Sequence, residues 1–404
     1  MNAPQQTRWS IVALCTVAGM VTSMQIGKVA PALGLLRIEF DLSLVQAGWV
    51  ISFLAATAAT VGILVGGISD RLGNRRTIAY CMGFIVVGNL LGAFAQSGNT
   101  LLFSRFIESI GFVGVVVSVP GILIRAATAA DQRLAFGFWG SYMPSGMAFM
   151  MAVAPLFLAP VGWRGLWLAN ALAVLLFAIV FHMLTRDLAP AVQKQARAPL
   201  RASIALVLAR PGPWLLGLCF MTYATQWIGL MAWLPTFLTE TMNFSIADAA
   251  LMAALVVGIN VPGNWFGGWL LQRGVKRWYL PAFACAAMGL CGLGIFSADV
   301  PDVGRIGLAL FFSFIAGLAP PTLLGGAPMH SPSPDLMGTT NGVIVNCANI
   351  GSFLGPPAFG AIVALTGHWQ ASGYLMAAAG SAGLIFAVLL GLVERRLTVP
   401  EISA

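Results

Sequence analysis

The chain has 404 residues, of which 59% are hydrophobic and only 8% charged. A soluble domain carries roughly 25% charged residues, so this composition leaves too little polar surface for a water-soluble fold. The formal net charge is +8, but the cations sit in short clusters between apolar runs. They point to membrane topology and away from nucleic-acid binding.

Apolar runs with turn-forming breaks predict spans near 9–33, 44–67, 77–96, 101–123, 134–157, 165–185, 212–238, 248–270, 279–298, 304–325, 338–362 and 371–393. Continuous runs of roughly 20 residues are membrane helices, whereas barrel strands alternate over about 10. The first run follows Arg8 and continues past signal-peptide length without a small-residue cleavage site, so it is read as a retained span. The polar stretch 186–211 holds Arg186, Lys194, Arg197, Arg201, Arg210, Pro190 and Pro199. It divides a first bundle (1–185) from a second (212–404). The expected fold class is an all-α polytopic membrane protein, with twelve transmembrane helices in two pseudo-symmetric six-helix bundles.

With the N-terminus in the cytoplasm, Arg8, Arg125, Arg133, the linker cations, Arg273, Arg395 and Arg396 fall on the cytoplasmic side. Arg37, Arg164 and Arg305 fall on the other. The positive-inside bias places both termini in the cytoplasm and the chain, multi-pass, in the cytoplasmic (inner) membrane. Cys15, Cys81, Cys219, Cys285, Cys291 and Cys347 all lie in apolar runs without CxxC spacing. They read as small packing residues, and no metal, disulfide or cofactor is expected. His182 stands near the end of span 6, while His330 and His368 fall in predicted loops.

The string GGISDRLGNRR at 66–76 returns in degraded form as GGWLLQRGVKR at 267–277. Gly66 and Gly67 match Gly267 and Gly268; Gly73 matches Gly274; Arg75 and Arg76 match Lys276 and Arg277. A glycine-lined helix end, a tight glycine turn and a basic tail suit a short loop at a membrane surface. The duplication indicates two halves of similar build. A carboxylate at Asp70 can accept from a helix N-terminus and pair with arginine; the second copy has Leu271 there.

Six plus six spans, with this loop after spans 2 and 8, resemble the major facilitator superfamily over the whole chain. The family's loop reads roughly G-x-x-x-D-[RK]-x-G-[RK]-[RK]. Gly66, Asp70, Arg71, Gly73 and Arg75 match it, while Asn74 shifts the basic tail to Arg75 and Arg76. The resemblance implies a monomeric carrier in which this loop gates the cytoplasmic side. It also implies that Arg105 is the family's membrane-embedded arginine, followed by Gly111 and Gly114, and that GWRGLW at 162–167 is the turn before span 6. The glycine-proline signature of antiporters in span 5 is poor: Gly146 and Pro155 remain, and GPPAFG at 355–360 puts a similar feature in span 11. That departure counts against drug export. In span 7, MAWLPTFL at 231–238 is somewhat similar to the cyanate and nitrate/nitrite porter groups.

Charges inside spans are expensive and mark functional candidates: Lys28, Arg105 and Glu108. Arg105 and Glu108 are three apart and share a helix face, as do Gln25 and Lys28. Arg105 can bind an anion or set the protonation of Glu108, the candidate proton site; the alternative is a structural pair. Lys28, near the expected outer end of span 1, can contact solute or snorkel to headgroups. Tyr223, Gln226 and Trp227 in span 7 have offsets suited to one face and to a small polar solute. Asn260 and Asn264 in span 8, Asn346 and Asn349 in span 11, and Tyr142 beside Trp139 in span 5 are further lining candidates. Each can equally serve helix packing.

No nucleotide-binding loop, catalytic triad or metal-ligand cluster is apparent, so the chain is not expected to be an enzyme. Within the spans two cations face one acid. The expectation is a secondary transporter that moves a small anionic solute across the cytoplasmic membrane by alternating access, with proton symport. The alternatives are a proton-coupled exporter of drugs or metabolites and a non-transporting sensor on a carrier fold.

Overall fold

The computed structural model describes residues 6–128, 130–186, 200–333 and 336–398, with the backbone alone for 59, 61–71, 133, 200–203 and 397–398. In lipid every backbone N–H and C=O needs a partner within the chain, and helices satisfy them locally. The elements are α1 (Trp9–Gly27), α2 (Val29–Phe40), α3 (Leu44–Leu72), α4 (Asn74–Ala93), α5 (Gly98–Ala126), α6 (Gln132–Gly140), α7 (Tyr142–Val153), α8 (Pro155–Leu184) and α9 (Leu200–Leu208). They continue as α10 (Pro211–Met242), α11 (Ile246–Gly258), α12 (Asn260–Gln272), α13 (Tyr279–Phe296), α14 (Asp302–Ala316), α15 (Ala319–Leu324), α16 (Ala327–His330), α17 (Met337–Thr366) and α18 (Gln370–Thr398).

Among the described residues, 10 helical stretches are long and apolar enough to cross a membrane, and Leu44–Ala58 within α3 is a shorter one. The remaining crossing is the broken pair α6–α7. The Arg8 amide donates to the Ala126 carbonyl at 2.9 Å, so the end of α5 lies at the N-terminal side. Arg164 donates to the Ala95 carbonyl at 2.9 Å, at the opposite end of α4 and α5. The chain between Ala126 and Arg164 therefore has to cross. Gly162 interrupts α8 with φ 65°, the turn that GWRGLW suggests. The fold class is the all-α, twelve-span one that the sequence predicts.

The two duplicated glycines adopt nearly the same positive φ: 86° at Gly73 and 85° at Gly274. Only glycine takes that conformation without a Cβ clash, which explains why it survives in both copies of the loop.

Span 1 runs further than expected, to Phe40 instead of 33, because its polar end finds partners. Glu39 accepts from Trp163 Nε1 at 2.6 Å and pairs with Arg164, and Arg37 pairs with Glu240 at 3.2 Å. Within the expected linker, residues 187–199 lie outside the described residues and α9 follows them.

The helices gather into two compact units. Unit 1 comprises Met1–Lys194, Met231–Gly258 and Pro356–Gly360; unit 2 comprises Gln195–Leu230, Ile259–Gly355 and Ala361–Ala404. In unit 1, an apolar core of Cys15, Ile78, Met82, Ile85, Val119 and Phe181 joins α1, α4, α5 and α8. In unit 2, α13 lies along α18, and a Cβ on Gly380 would sit 2.9 Å from Gly289 Cα, so the two helices pack at backbone distance. All six cysteines are buried. Phe103, Leu156, Leu290 and Leu365 remain exposed, as suits a surface solvated by lipid.

Candidate functional site

The three membrane-embedded charges meet inside unit 1. Lys28 occupies the joint between α1 and α2, and α2 continues for 12 residues, roughly 18 Å at 1.5 Å per residue. That length carries Lys28 well below the helix end. Its side chain is wholly buried, so it does not snorkel. Its ammonium donates to Glu108 Oε1 at 2.7 Å, Asn89 Oδ1 at 2.7 Å and Gln25 Oε1 at 3.0 Å, and lies 4.5 Å from the centre of the Trp167 ring. Three donors find three acceptors, the arrangement of a protonated amine.

Arg105 and Glu108 form the i,i+3 pair that their spacing predicts, through Nη1 and Oε2. Arg105 also donates from Nε to the Val50 carbonyl at 3.2 Å and from Nη2 to the Gln25 carbonyl at 2.8 Å. One guanidinium thus ties α5 to α3 and α1. Burial of such charges is tolerated only when their hydrogen-bonding groups are satisfied.

Amides complete the cluster. Gln25 Oε1 accepts from Lys28, from Asn89 Nδ2 at 2.8 Å and from Asn170 Nδ2 at 3.3 Å. Asn89 Nδ2 also donates to the Ile85 carbonyl at 2.8 Å. Asn89, Asn170 and Trp167 were not singled out from sequence. Their signal is a polar or large aromatic side chain inside apolar spans 3 and 6.

Glycines on α4 set the distances. A Cβ on Gly88 would stand 2.5 Å from Glu108 Cγ and 2.8 Å from the Glu108 amide nitrogen. A Cβ on Gly92 would stand 2.7 Å from Trp167 Cδ1 and Nε1. Their absence lets α5 and α8 close onto α4. Trp167 Nε1 is buried with no hydrogen-bond partner among the described residues.

Tyr142 does not join this cluster. It stacks on Trp139, ring centres 4.3 Å apart, and packs with the apolar core against Gly19 of α1.

Unit 2 holds an uncharged group. Tyr223 and Trp227 are parallel, 6.5 Å apart, and Trp227 Nε1 donates to Ser313 Oγ at 3.2 Å. Asn260 Nδ2 donates to the Ser313 carbonyl at 2.9 Å, and Asn264 Nδ2 to Asn260 Oδ1 at 2.7 Å. Gln226 parts from them. It is buried one turn after Thr222, which faces Cys285 of α13 and Gly383 of α18, and donates to the Thr222 carbonyl at 3.3 Å. Asn346 and Asn349 on α17 are half-buried and enter neither group.

In the loop at 66–76, the side chains of Asp70 and Arg71 lie outside the described residues, and Gly66 is described by its backbone alone. Arg75 donates to Thr185 Oγ1 at 3.1 Å and to the His182 carbonyl at 2.9 Å, so it clamps the start of α4 to the end of α8. Asn74 donates to the Ser118 carbonyl at 2.8 Å, and Arg76 is exposed. His330, expected in a loop, instead ends α16, buried, with Nε2 3.3 Å from Glu394 Oε1. Span 10 is prolonged by two short helices that carry it inside.

The site contains no arrangement for bond chemistry; it holds charges and amides in a membrane helix bundle. The chain is 24% identical over 410 residues to the probable sulfoacetate transporter SauU of Cupriavidus necator, covering 95% of each. It is 26% identical over 371 residues to the probable nitrate/nitrite antiporter NarK1 of Thermus thermophilus, covering 84% of this chain and 82% of that one. Its fold matches that of a bacterial homologue of the human lysosomal transporter Spinster in an inward-facing, occupied conformation, with TM-score 0.74 and 19% identity over 97% of this chain and 98% of that one. The family profile described as Major Facilitator Superfamily matches residues 15–356. The chain belongs to the Major Facilitator Superfamily and is a membrane transporter, not an enzyme.

Proposed function

We propose that this transporter moves a small anionic solute across the cytoplasmic membrane by alternating access, with proton symport. One observation carries the reading: Lys28, Arg105 and Glu108 are all wholly buried and together bear a net positive charge when ionised. Desolvating an unbalanced charge is costly, and an anion drawn to the cluster offsets it. The unpaired indole N–H of Trp167, on the ring beneath Lys28, adds a neutral donor nearby. The Tyr223, Trp227, Asn260, Asn264 and Ser313 group has no formal charge, so it supports recognition by stacking and hydrogen bonds. Two relatives carry names of anion transporters, for sulfoacetate and for nitrate/nitrite.

The test is uptake by purified protein in liposomes. Nitrate, nitrite and sulfoacetate are offered beside a neutral sugar and a cationic dye, with and without an imposed pH gradient. Accumulation of an anion driven by inward protons supports the reading. Movement of the dye alone overturns it in favour of a drug exporter, and movement of nothing favours a non-transporting role. The same reading puts both termini and the linker in the cytoplasm. Cleavage at 186–211 by protease added outside intact cells would contradict that sidedness.

A further inference from the structure

Two cations share one carboxylate in unit 1. Glu108 gives Oε1 to Lys28 at 2.7 Å and Oε2 to Arg105. The other groups that meet them among the described residues are uncharged: Gln25 on α1, the Val50 carbonyl of α3, Asn89 on α4 and Trp167 on α8, with Asn170 of α8 behind Gln25. Fully ionised, the cluster carries one net positive charge.

The three groups differ in how readily they change charge. An arginine keeps its proton at any physiological pH. Glu108 is held between two cations, one on each oxygen, and adding a proton to it would double the cluster's excess charge. Removing the proton of Lys28 brings the excess to zero and leaves a neutral Arg105–Glu108 pair. Lysine is also the cation whose protonation responds most to burial. Sequence spacing alone nominates Glu108 as the proton carrier, because Lys28 reaches it only through tertiary packing.

We propose that the coupled proton rides on Lys28 Nζ while Glu108 stays ionised throughout the cycle. This rests on the anion-carrier reading. In the empty carrier the amine of Lys28 is neutral. When a monovalent anion approaches, a proton from water adds to the Nζ lone pair, and the cluster plus anion again sums to zero. On release, the anion leaves and the same proton returns to water. Each ligand removes the electrostatic penalty of the other, so their affinities are reciprocally linked. The three acceptors around Nζ are the ones a protonated amine uses.

The experiment measures proton uptake by the purified full-length transporter in weak buffer with a pH dye, on addition of nitrate or nitrite. Binding is followed in parallel by thermal shift. The wild type is expected to take up about one proton per anion bound, the one-site stoichiometry of reciprocal linkage. Lys28→Arg, with a permanent charge, is expected to take up none at saturating anion, and to lose proton-driven accumulation in liposomes. Lys28→Met, which leaves the Arg105–Glu108 pair neutral, is expected to take up none either, and it decides the matter if Lys28→Arg does not fold. Uptake persisting in either lysine variant while it still binds anion overturns the lysine assignment and leaves the anion reading standing. Neither anion binding to the wild type overturns both.

Discussion

Lys28 and Glu108 stand 80 positions apart in sequence and 2.7 Å apart in space, both with side chains closed off from solvent. Their contact joins the break in span 1 to the middle of span 4. Arg105 completes it from the same helix face as Glu108, and its other donors hold backbone carbonyls of α3 and α1. The buried charges are therefore also joints of the bundle.

Arg105 is the first place to separate the two roles. Arg105→Ala strips the carbonyls of Val50 and Gln25 of a donor and leaves Glu108 with one cation. Removing one partner of a buried ion pair costs about 3–5 kcal/mol. Arg105→Lys restores a charge but not a planar fork that reaches three acceptors in fixed directions. Both variants are expected to lose most anion counterflow, with the lysine form within roughly tenfold of the alanine form, about 1.4 kcal/mol in barrier terms. Counterflow in liposomes of matched protein content is the measurement; undiminished transport by Arg105→Ala would leave the residue a purely structural partner.

The two asparagines differ in their bonds. Asn89 takes the Lys28 ammonium at 2.7 Å and donates to Gln25 and Ile85 at 2.8 Å. Asn170 reaches only Gln25, at 3.3 and 3.4 Å. Bonds to a charged group contribute about 1.5–3 kcal/mol and long neutral ones at most about 1 kcal/mol. Asn89→Leu should therefore lower the melting temperature in detergent clearly more than Asn170→Leu does. The reverse order would mean that Asn89 does not carry Lys28.

Gly88 and Gly83 make a matched pair on α4. A methyl group on Gly88 meets Glu108 backbone, which cannot move aside, whereas one on Gly83 meets nothing within 4 Å. Overpacking at Gly88→Ala is expected to cost about 1–3 kcal/mol and to depress transport by displacing the carboxylate. Gly83→Ala should be neutral or stabilising by up to about 1 kcal/mol. Thermal stability and initial uptake rates of the two variants, side by side, decide whether α4 packing positions Glu108.

Asp70→Asn addresses the loop. The resemblance of residues 66–76 to the family signature gives the carboxylate a gating role, in which it biases cycling more than it holds solute. Turnover should fall while solute affinity, read by thermal shift, changes less than roughly threefold, under about 1 kcal/mol. Unchanged turnover together with unchanged labelling of cysteines near the loop would remove the gate assignment.

Local periodicity made much of this protein legible in one dimension. Long apolar runs had to become helices, because lipid offers the backbone no partners. Spacings of three put Arg105 with Glu108 and Gln25 with Lys28 on common faces. The duplicated glycines had to turn, and they do so at nearly equal φ. What periodicity does not contain is which faces meet. Asn89 and Trp167 meet Lys28, and Asn170 meets Gln25 beside it, because glycines on α4 admit the backbone of α5 and the Trp167 ring of α8, a match of surfaces that no single helix records. The same limit explains Gln226. Its offset sets it with Tyr223 and Trp227, yet in the packed helix its amide turns to the Thr222 carbonyl, one turn earlier. His330 moved likewise from an expected loop to a buried contact with Glu394, because two short helices extended its span. Sequence set the elements and the sign of the buried charge. Only helix packing chose Lys28 as the second cation on Glu108, since that choice depends on contacts between residues far apart in the chain.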